Sequence, residues 1–578
     1  MDEPTVGRPR PAEPQPPSPP TTTPPSRRAA QRLNLRDVGL GALLGCAALF
    51  VYLVYMSSHA HELTDPNSMD YAQIARHLQR GEGFTTSFLR PLSLAQVQNI
   101  SHHPELSFMP LHPLWMSLFF RLGGPTYKMA AWSCGVAYLL TLPLVYLLAA
   151  RLFDRRCGLI ALAVYAVNYL SLQYAVSGLE VSLATLVVTV LVLLLYSYLT
   201  APAPSLALAI LCGVVAALAC LVKEVLVVLF VPVLVVVLLR RGQRRWTEAL
   251  VCLAAFVLAM APWAVRNAQI TGNPFFSLRS AEMAGGTITY KGQSLYRRYL
   301  APPPAALPFL LTHPREAWLK VRPVLLSMYD AIPNLGGPFI AAFFIAGVFI
   351  RFKQEAAHVL RRWGYAAILL VALTLCLLSA DARLLLPLAP LAVVLGIGGA
   401  LALLDRLAES TPGLRQRRRL IGWGTGGLIA VCWLPVALMT LSGQPPDEAA
   451  TADVKRICAT LTERKAQPIY TDQPWALAWY GDLNAIWLPQ GEDDLKALED
   501  QVGPVQYALL SPALPQVAED EALSTWGRFY NAGRRGMTLP FHRFVPADAL
   551  GAGRDWLLYG RIPESTQAEE SAAASPGP

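Results

Sequence analysis

The acidic segment TDPNSMDYAQIARHLQRGEGFTT holds the side chains best suited to proton transfer. Asp65 before Pro66 is typical of an N-cap followed by a first-turn proline, and the GEG that follows ends the helix. Apolar residues recur at three- and four-residue spacing, at Tyr71, Ile74, Ala75 and Leu78. The pattern predicts an amphipathic helix over 66–80 on the outer membrane surface, with Asp70 turned away from lipid. By residue type alone, Asp65 is a cap and Asp70 a solvated charge, so the context must decide whether either is a base.

Three cations at the ends of apolar runs are candidates for binding an anion. Arg383 stands where a guanidinium can pair bidentately with phosphate oxygens, although a snorkelling arginine has the same sequence signature. Lys223 and Glu224 lie in a turn between two apolar runs, where a charged pair is costly unless it faces a cavity; a plain hydrophilic turn is the alternative. Arg266, in PWAVRN, closes another run and either caps the helix or contacts a ligand.

Three histidines, His102, His103 and His112, raise the question of a bound metal. The adjacent pair, together with Glu105, could ligate a divalent ion, but no spacing of cysteine and histidine is typical of a zinc site. We expect the histidines to line a polar cleft without a cofactor, and a divalent metal is the less favoured alternative.

The composition is that of a polytopic α-helical membrane protein. Of the 578 residues, 54% are hydrophobic and 15% charged, whereas soluble domains carry about 25% charged residues. The net charge of +9 comes from basic residues at the ends of apolar runs, as the positive-inside rule expects. We therefore expect membrane lipid, and no nucleic acid, among the partners.

Eleven apolar runs are long enough to predict about 11 transmembrane helices. They lie near 38–56, 129–150, 157–175, 180–199, 205–222, 225–239, 247–265, 336–350, 363–379, 384–404 and 419–441. Basic turns alternate with these runs and predict a cytoplasmic N-terminus and an external C-terminus. The run 108–122, broken by Pro110 and Pro113, is expected to be a surface or re-entrant helix, because a twelfth span would invert every later turn.

The order of composition along the chain predicts two domains between two tails. The predicted regions are a Pro-rich disordered cytoplasmic tail (1–36), a transmembrane domain (37–442) with external loops 57–128 and 268–335, a small external α/β domain (443–562) and a disordered tail (563–578). In the external domain, AQPIYTD, NAIWLP and VQYALLSP predict strands, and DVKRICATLTERK and EDDLKALEDQVG predict helices. Residues 314–328 predict an interfacial amphipathic helix.

Six motifs in order carry a resemblance to a known family. They are DPNSMDYAQIARHLQRGEGF, FMPLHPLW, SGLE, APWAVRNAQITGNPFF, ARLLLPLAPL and YTDQPWALAWYGDLNAIWLP. Over about 38–560 the chain resembles the GT-C class of glycosyltransferases, in particular bacterial family 39-like enzymes, which are similar to protein O-mannosyltransferases and the lipid A aminoarabinose transferase. The resemblance implies a GT-C fold in the bacterial inner membrane and a polyprenyl-phosphate-linked sugar as donor. It also implies transfer on the external, periplasmic face with inversion, to an acceptor that is a glycan, a lipid or a protein.

The resemblance also assigns candidate site residues. Alignment on Y-x-x-x-AR puts the usual family aspartate at Asn67, and an amide cannot act as a general base. We expect Asp70 to replace it, with Asp65 as the alternative and Glu180 if neither serves. The resemblance implies that Arg383, Lys223 and Arg266 bind the donor phosphate. The remaining cleft candidates are Asn67, Tyr71, His102, His103, Glu180, Tyr290 and Lys291.

Two other classes of function compete with the glycosyltransferase. A transporter or flippase for a lipid-linked sugar would favour intramembrane charges and an internal repeat, and the sequence has neither in clear form. A non-catalytic membrane scaffold is favoured by the amide at Asn67, where the family carries an acid. Loss of sugar transfer on mutation of the candidate acids and arginine, with normal folding, would separate the enzyme from both.

Overall fold

The computed structural model describes residues 35–60, 62–203, 205–240, 244–378, 381–410, 413–441, 448–514, 521–537 and 544–562. The predicted tails, 1–36 and 563–578, lie outside the described residues, apart from residues 35 and 36, which begin the first helix. Within the described ranges most of the chain is helical, and the strands lie mainly after residue 468.

The α-helices and strands of the described residues are numbered in chain order. The helices are Leu35–His59 (α1), Pro66–Arg80 (α2), Pro91–Leu94 (α3), Leu111–Gly123 (α4), Tyr127–Leu152 (α5), Arg155–Tyr165 (α6), Tyr169–Ala175 (α7), Val181–Thr200 (α8), Leu206–Val222 (α9), Phe230–Leu239 (α10), Arg245–Thr271 (α11), Ala306–Thr312 (α12), Pro314–Ala331 (α13), Pro338–Ala346 (α14), Glu355–Leu378 (α15), Ala389–Glu409 (α16), Leu414–Leu441 (α17), Glu448–Glu463 (α18), Pro474–Gly481 (α19), Glu492–Val502 (α20) and Glu521–Arg534 (α21). The strands are Phe88–Leu89 (β1), Ile469–Thr471 (β2), Ala485–Trp487 (β3), Tyr507–Leu510 (β4), Phe544–Leu550 (β5) and Trp556–Arg561 (β6). Short 3-10 helices are Glu224–Leu229, Leu278–Met283, Ser294–Arg297, Ile332–Asn334, Gly347–Phe349 and Ala382–Leu388.

All eleven apolar runs are helical, but they differ in length. Seven helices in the described residues are long and apolar enough to cross a membrane. They are Gly39–His59, Tyr127–Leu152, Val181–Thr200, Arg245–Thr271, Glu355–Leu378, Ala382–Glu409 and Arg415–Leu438. Helices α6 and α7 form one further span if the pair, bent by 59°, is counted together. The other runs correspond to the shorter helices Leu206–Val222, Glu224–Leu239 and Phe339–Phe349. The membrane-protein fold is therefore confirmed, while the count of eleven spans stays a prediction.

Helix α2 begins and ends where the sequence predicts. Asp65 is its N-cap, with Oδ1 accepting from the backbone N–H of Asn67 (2.8 Å) and Ser68 (3.3 Å), and Gly81 ends it at a left-handed φ of 81°. Residues 68–77 are buried on every side, so the interpretation of Asp70 as a solvated charge is wrong, while the position of the helix at the membrane surface stays a prediction. The polar face is covered by the loop that follows: Gln73 donates to Thr86 Oγ1 at 2.7 Å.

A six-stranded sheet joins the first loop to the C-terminal region. Its order is β1-β3-β2-β4-β6-β5; the first four strands are parallel to one another, and β6 is antiparallel to both β4 and β5. The predicted strands and helices of the C-terminal region are confirmed as β2, β3, β4, α18 and α20. The proposed domain boundaries stay predictions.

The parallel strands are buried on both faces, as their apolar sequence requires. Along β2 and β3, Tyr470 and Ile486 belong to one apolar cluster, whereas Ile469 and Ala485 belong to another. This alternation has the two-residue period of a strand. The sheet is therefore a rigid element on which side chains at the strand ends are held in place.

Helix α2 also fastens the C-terminal region to the first loop. Arg76 donates to the carbonyl oxygens of Trp479 (2.7 Å) and Ala478 (2.6 Å) at the end of α19. Its Nη2 also lies 2.7 Å from Asp482 Oδ1, and Arg80 pairs with the same carboxylate at 2.5 Å. These contacts fix the first loop and the C-terminal sheet as one assembly around α2.

Candidate active site

Two adjoining cavities lie beside the N-terminal half of α2. The cationic cavity, of about 430 Å³, has as its charged lining residues Asp65, Lys223, Arg279, Glu282, Asp381 and Arg383. The aromatic cavity, of about 200 Å³, is lined by Asn67, Asp70, Phe88, Arg90, Ser107, Trp475 and Trp487, among others. The residues common to both are Asn67, Arg279, Glu282, Gln293 and Tyr296. The two cavities therefore meet along a polar wall.

Lys223 reaches the cationic cavity because α9 ends one residue before it. The lysine caps the helix and is 2% exposed, and its Nζ lies 2.9 Å from Glu180 Oε1. The same Nζ donates to the hydroxyl of Tyr71 at 3.4 Å. A buried ammonium needs such partners to remain charged, so Glu180 holds the lysine in place.

Arg279 enters both cavities from the long loop after α11. Its Nε lies 3.5 Å from Glu224 Oε1, its Nη1 lies 3.9 Å from Glu282 Oε1, and the guanidinium stands over the ring of Phe108. Burial opposes the charge, but Glu282 and Glu224 outweigh it and hold the pKa of Arg279 above its ordinary value. The arginine is thus a fixed positive charge at the meeting point of the cavities.

Arg383 faces Asp65 across the cationic cavity. It lies in the 3-10 helix that leads into α16, and its Nη1 is 3.4 Å from Asp65 Oδ2 and 3.7 Å from Asp381 Oδ2. Its buried Nε has no hydrogen-bond partner among the described residues. A guanidinium with an unused buried donor is suited to an added anion.

Asp70 lies in the aromatic cavity, locked between two partners. Its Oδ2 accepts from Arg90 Nη2 at 2.6 Å, and its Oδ1 accepts from Gln73 Nε2 at 2.9 Å. Arg90 in turn stacks on Phe88 at 3.9 Å and lies 4.0 Å from Glu105 Oε2. The carboxylate is therefore held in one orientation, as a catalytic base requires.

The aromatic wall comes from two strands and one helix. Phe88 begins β1, Trp487 ends β3, and Trp475 is the second residue of α19, the helix after β2. Their ring centroids lie 5.6 to 6.0 Å apart in edge-to-face arrangements. Beside them, the hydroxyl of Ser107 is buried and has no hydrogen-bond partner among the described residues.

The other predicted site residues divide into two groups. Asn67 lines both cavities, and Tyr71 and Glu180 contact Lys223 directly. Arg266, His102, His103, Tyr290 and Lys291 do not line either cavity.

Arg266 is held away from the cavities by backbone contacts. Its Nη2 donates to the carbonyl of Glu105 at 2.8 Å, and its guanidinium stands over Trp263 at 4.6 Å. The arginine therefore braces the first loop against α11.

His103 braces the first loop, and neither it nor His102 lines the cationic or the aromatic cavity. His103 is fully buried and contacts the Ser93 hydroxyl and, at 3.0 Å, the carbonyl of Asn99, and burial lowers its pKa to about 4. His102 is exposed. Within the described ranges no group of three histidine, cysteine, aspartate or glutamate side chains is placed to hold a metal ion.

Several cavity residues were missed from the sequence. Arg90 and Arg279 lie in loops where an isolated arginine has no distinctive spacing, and only the fold shows that acids surround them. Trp475 and Trp487 belong to a motif that was recognised, but the sequence does not say that both face the first loop. The R-x-x-E spacing of Arg279 and Glu282 was the one local signal available.

Comparison with known proteins agrees with this architecture. Residues 102–266, less than a third of the chain, match the family model of dolichyl-phosphate-mannose-protein mannosyltransferases. No curated protein matches the sequence as a whole.

Among solved structures, ArnT from Cupriavidus metallidurans bound to undecaprenyl phosphate is similar, with a TM-score of 0.53 and 13% identity over 91% of this chain and 98% of ArnT. The Archaeoglobus fulgidus oligosaccharyltransferase gives a TM-score of 0.55 and 10% identity over 84% of this chain and 69% of the other. The same organism's AglB, in complex with an inhibitory peptide and a dolichol-phosphate, gives a TM-score of 0.53 and 12% identity over 85% and 71% of the two chains.

The fold is thus that of the GT-C membrane glycosyltransferases. The resemblance indicated by the six sequence motifs is confirmed by the family model and by these structural neighbours. At 10 to 13% identity the likeness to ArnT and the oligosaccharyltransferase concerns the fold, and the chemistry must be argued from the cavities of this chain.

Proposed function

We propose that this protein is a membrane glycosyltransferase that moves a sugar from a polyprenyl-phosphate donor to an acceptor on the external face, with inversion. The observation that carries the proposal is the convergence of Lys223, Arg279 and Arg383 on one cavity, next to a second cavity that holds a fixed carboxylate. A site for phosphoryl leaving groups and a site for a base are the two parts that this chemistry needs.

The three cations match a lipid phosphate that leaves during the reaction. When the bond from the anomeric carbon to the phosphate oxygen breaks, the departing phosphate gains negative charge. Lys223 follows the apolar helix α9 and Arg383 lies at the start of the candidate span Ala382–Glu409, so a phosphate whose lipid tail stays in the bilayer can reach them. Prealigned cations at this position stabilise charge that develops in the transition state. The bound undecaprenyl phosphate of ArnT and dolichol-phosphate of AglB support this type of donor.

Asp70 is the proposed base, and Asp65 has a different role. Asp65 Oδ1 caps α2 and its Oδ2 pairs with Arg383, so this carboxylate orients a phosphate-binding arginine. Asp70 lies on the other side of Asn67, in the cavity away from Lys223 and Arg383. An acceptor hydroxyl or amine there attacks the anomeric carbon, gives its proton to Asp70, and displaces polyprenyl phosphate toward the cations. Attack from the side opposite the leaving group inverts the anomeric configuration.

Binding of undecaprenyl phosphate to the purified protein tests the donor half of the proposal. We expect saturable binding that Arg383→Ala weakens and that Arg322→Ala, a change on helix α13 outside both cavities, leaves unchanged. Equal binding by the wild-type protein and Arg383→Ala would overturn the assignment of the cationic cavity. Sugar transfer in membranes from labelled undecaprenyl-phosphate sugars then tests the catalytic half.

A further inference from the structure

We infer that the acceptor is itself a saccharide and that the aromatic cavity is its binding site for one pyranose ring. This inference rests on the proposed function, because it assigns the donor to the neighbouring cationic cavity. Of the acceptors open to such an enzyme, it selects a glycan or glycolipid over a protein hydroxyl.

The lining of the aromatic cavity matches the two kinds of surface on a sugar ring, its apolar C–H faces and its polar hydroxyl groups. Trp475, Trp487 and Phe88 supply apolar rings, and the π face of an aromatic ring attracts the weakly positive C–H bonds of a pyranose. Arg90 already covers one face of Phe88, which leaves the two partly buried tryptophans as the stacking surface.

Polar groups that can bind the hydroxyls of that ring line the same cavity. Ser107 is 5% exposed and lines the cavity, and its buried hydroxyl has no hydrogen-bond partner among the described residues. A buried hydroxyl without a partner costs stability unless a ligand completes its hydrogen bonds. Asn67 and Asp70 add an amide and a carboxylate on the same cavity. A cavity lined by both aromatic rings and hydrogen-bonding groups suits an amphipathic ring.

The position of the cavity in the sheet supports a ligand site. Trp487 ends β3 and Trp475 follows β2, so both tryptophans stand at the carboxyl ends of neighbouring parallel strands. In open α/β sheets, ligands bind at that edge. Here the edge is turned toward α2, and the sheet supplies the acceptor side of the site while the membrane helices supply the phosphate side.

The size of the cavity limits the ligand. At about 200 Å³ it is smaller than the roughly 300–1,000 Å³ of pockets that enclose drug-sized ligands. A single ring fits this limit, and a folded peptide segment does not. The rest of the acceptor would extend out of the opening.

Saturation-transfer NMR on the full-length protein in lipid nanodiscs tests the inference. The probes are methyl pyranosides of mannose, galactose, glucosamine and 4-amino-arabinose, with a Ser/Thr-rich peptide as competitor. We expect at least one pyranoside to receive saturation mainly at ring C–H protons. Trp487→Ala should weaken its binding at least tenfold and Trp475→Phe less. Trp318→Ala, an exposed tryptophan on α13, should leave it unchanged.

Adding a lipid competitor to the NMR sample tests whether the aromatic cavity binds the acceptor sugar or the donor sugar. Undecaprenyl phosphate without a sugar should leave the pyranoside bound, and so should undecaprenyl-phosphate mannose, because the acceptor and donor occupy different cavities. Displacement by the mannose-bearing lipid alone would assign the aromatic cavity to the donor sugar and overturn the inference. So would binding of the peptide in place of every pyranoside, or no pyranoside binding at all.

The outcome is separable from the proposed function. Arg383→Ala should lower binding of undecaprenyl phosphate and leave pyranoside binding intact, since Arg383 lines the cationic cavity but not the aromatic cavity. If the protein binds undecaprenyl phosphate but no pyranoside, the saccharide acceptor site is wrong and the proposed function stands. If the wild-type protein does not bind undecaprenyl phosphate, the proposed function is wrong.

Discussion

The cationic and aromatic cavities share a wall but are built from different parts of the chain. The cations of the first come from helix ends and a loop next to the membrane segments, at Lys223, Arg279 and Arg383. The rings of the second come from the sheet, at Phe88, Trp475 and Trp487. The proposed phosphate site therefore rests on helix ends and a loop, whereas the proposed acceptor site rests on the sheet. A substitution in one cavity should therefore leave ligand binding in the other cavity unchanged.

The largest effect is expected from Asp70→Asn. The amide keeps the size of the carboxylate but cannot accept a proton, so kcat should fall by about 10² to 10⁴-fold. Undecaprenyl phosphate binding should be unchanged, because Asp70 lies outside the cationic cavity. Initial rates of sugar transfer in membranes, normalised to protein level, measure it. Asp65→Asn is the matched control and should lower donor affinity more than kcat; the reverse pattern would make Asp65 the base.

The next largest effect is expected from Arg383→Ala, which changes the cationic cavity but not the aromatic cavity. A hydrogen bond to a charged group contributes about 1.5–3 kcal/mol, so donor affinity should fall roughly 10- to 100-fold. Arg383→Lys should recover part of the loss, because it restores the charge without the two-pronged geometry. Titration with undecaprenyl phosphate at two salt concentrations measures both variants. An Arg383→Ala affinity within twofold of wild type would refute the role.

Arg76→Met should disturb the aromatic cavity by loosening the C-terminal region. The change removes two charge-assisted hydrogen bonds to α19 and the pair with Asp482, at a cost of about 2–3 kcal/mol in unfolding free energy. Arg80→Met is the control: its side chain is 40% exposed, so the loss should stay below about 1 kcal/mol. Chemical denaturation followed by tryptophan fluorescence compares the two. Equal losses would contradict the docking role of Arg76.

The smallest effect is a pH dependence from His103, which braces the loop that carries Arg90 and Ser107. Burial lowers the pKa of His103 to about 4, below the value near 6.5 of an unfolded chain. The unfolded state therefore binds the proton first, and stability is lost as the pH falls below about 6.5. Between pH 7 and 5.5 the loss should be about 1 kcal/mol.

His103→Gln provides the reference for that measurement, because glutamine does not titrate. We expect the stability of the wild-type protein to approach that of the variant as the pH falls from 7 to 5.5. Parallel pH profiles of the two proteins would show that His103 contributes nothing to the dependence.

The sequence predicted local features well because they depend on neighbouring residues. Asp65 as a cap, Gly81 as a stop and the strands around Tyr470 and Ile486 follow from turn chemistry and periodicity. It could not predict that α2 is buried, because its polar face is covered by the loop at Thr86 and by α19. Strand β1, two residues long, forms only because β3 offers it an edge.

Contiguous sequence is sufficient to predict the apolar helices, the order of the motifs and the candidate acids. Apolar length, flanking charge and residue spacing are properties of contiguous segments. Folding, in contrast, brings Lys223 and Arg383 into one cavity and places Asp65 and Asp70 in different cavities. Asp65 caps the helix and Asp70 follows five positions later, which at 3.6 residues per turn places the two side chains roughly 140° apart around the axis. The partners that decide each acid's role, Arg383 and Arg90, come from distant segments that only folding brings together.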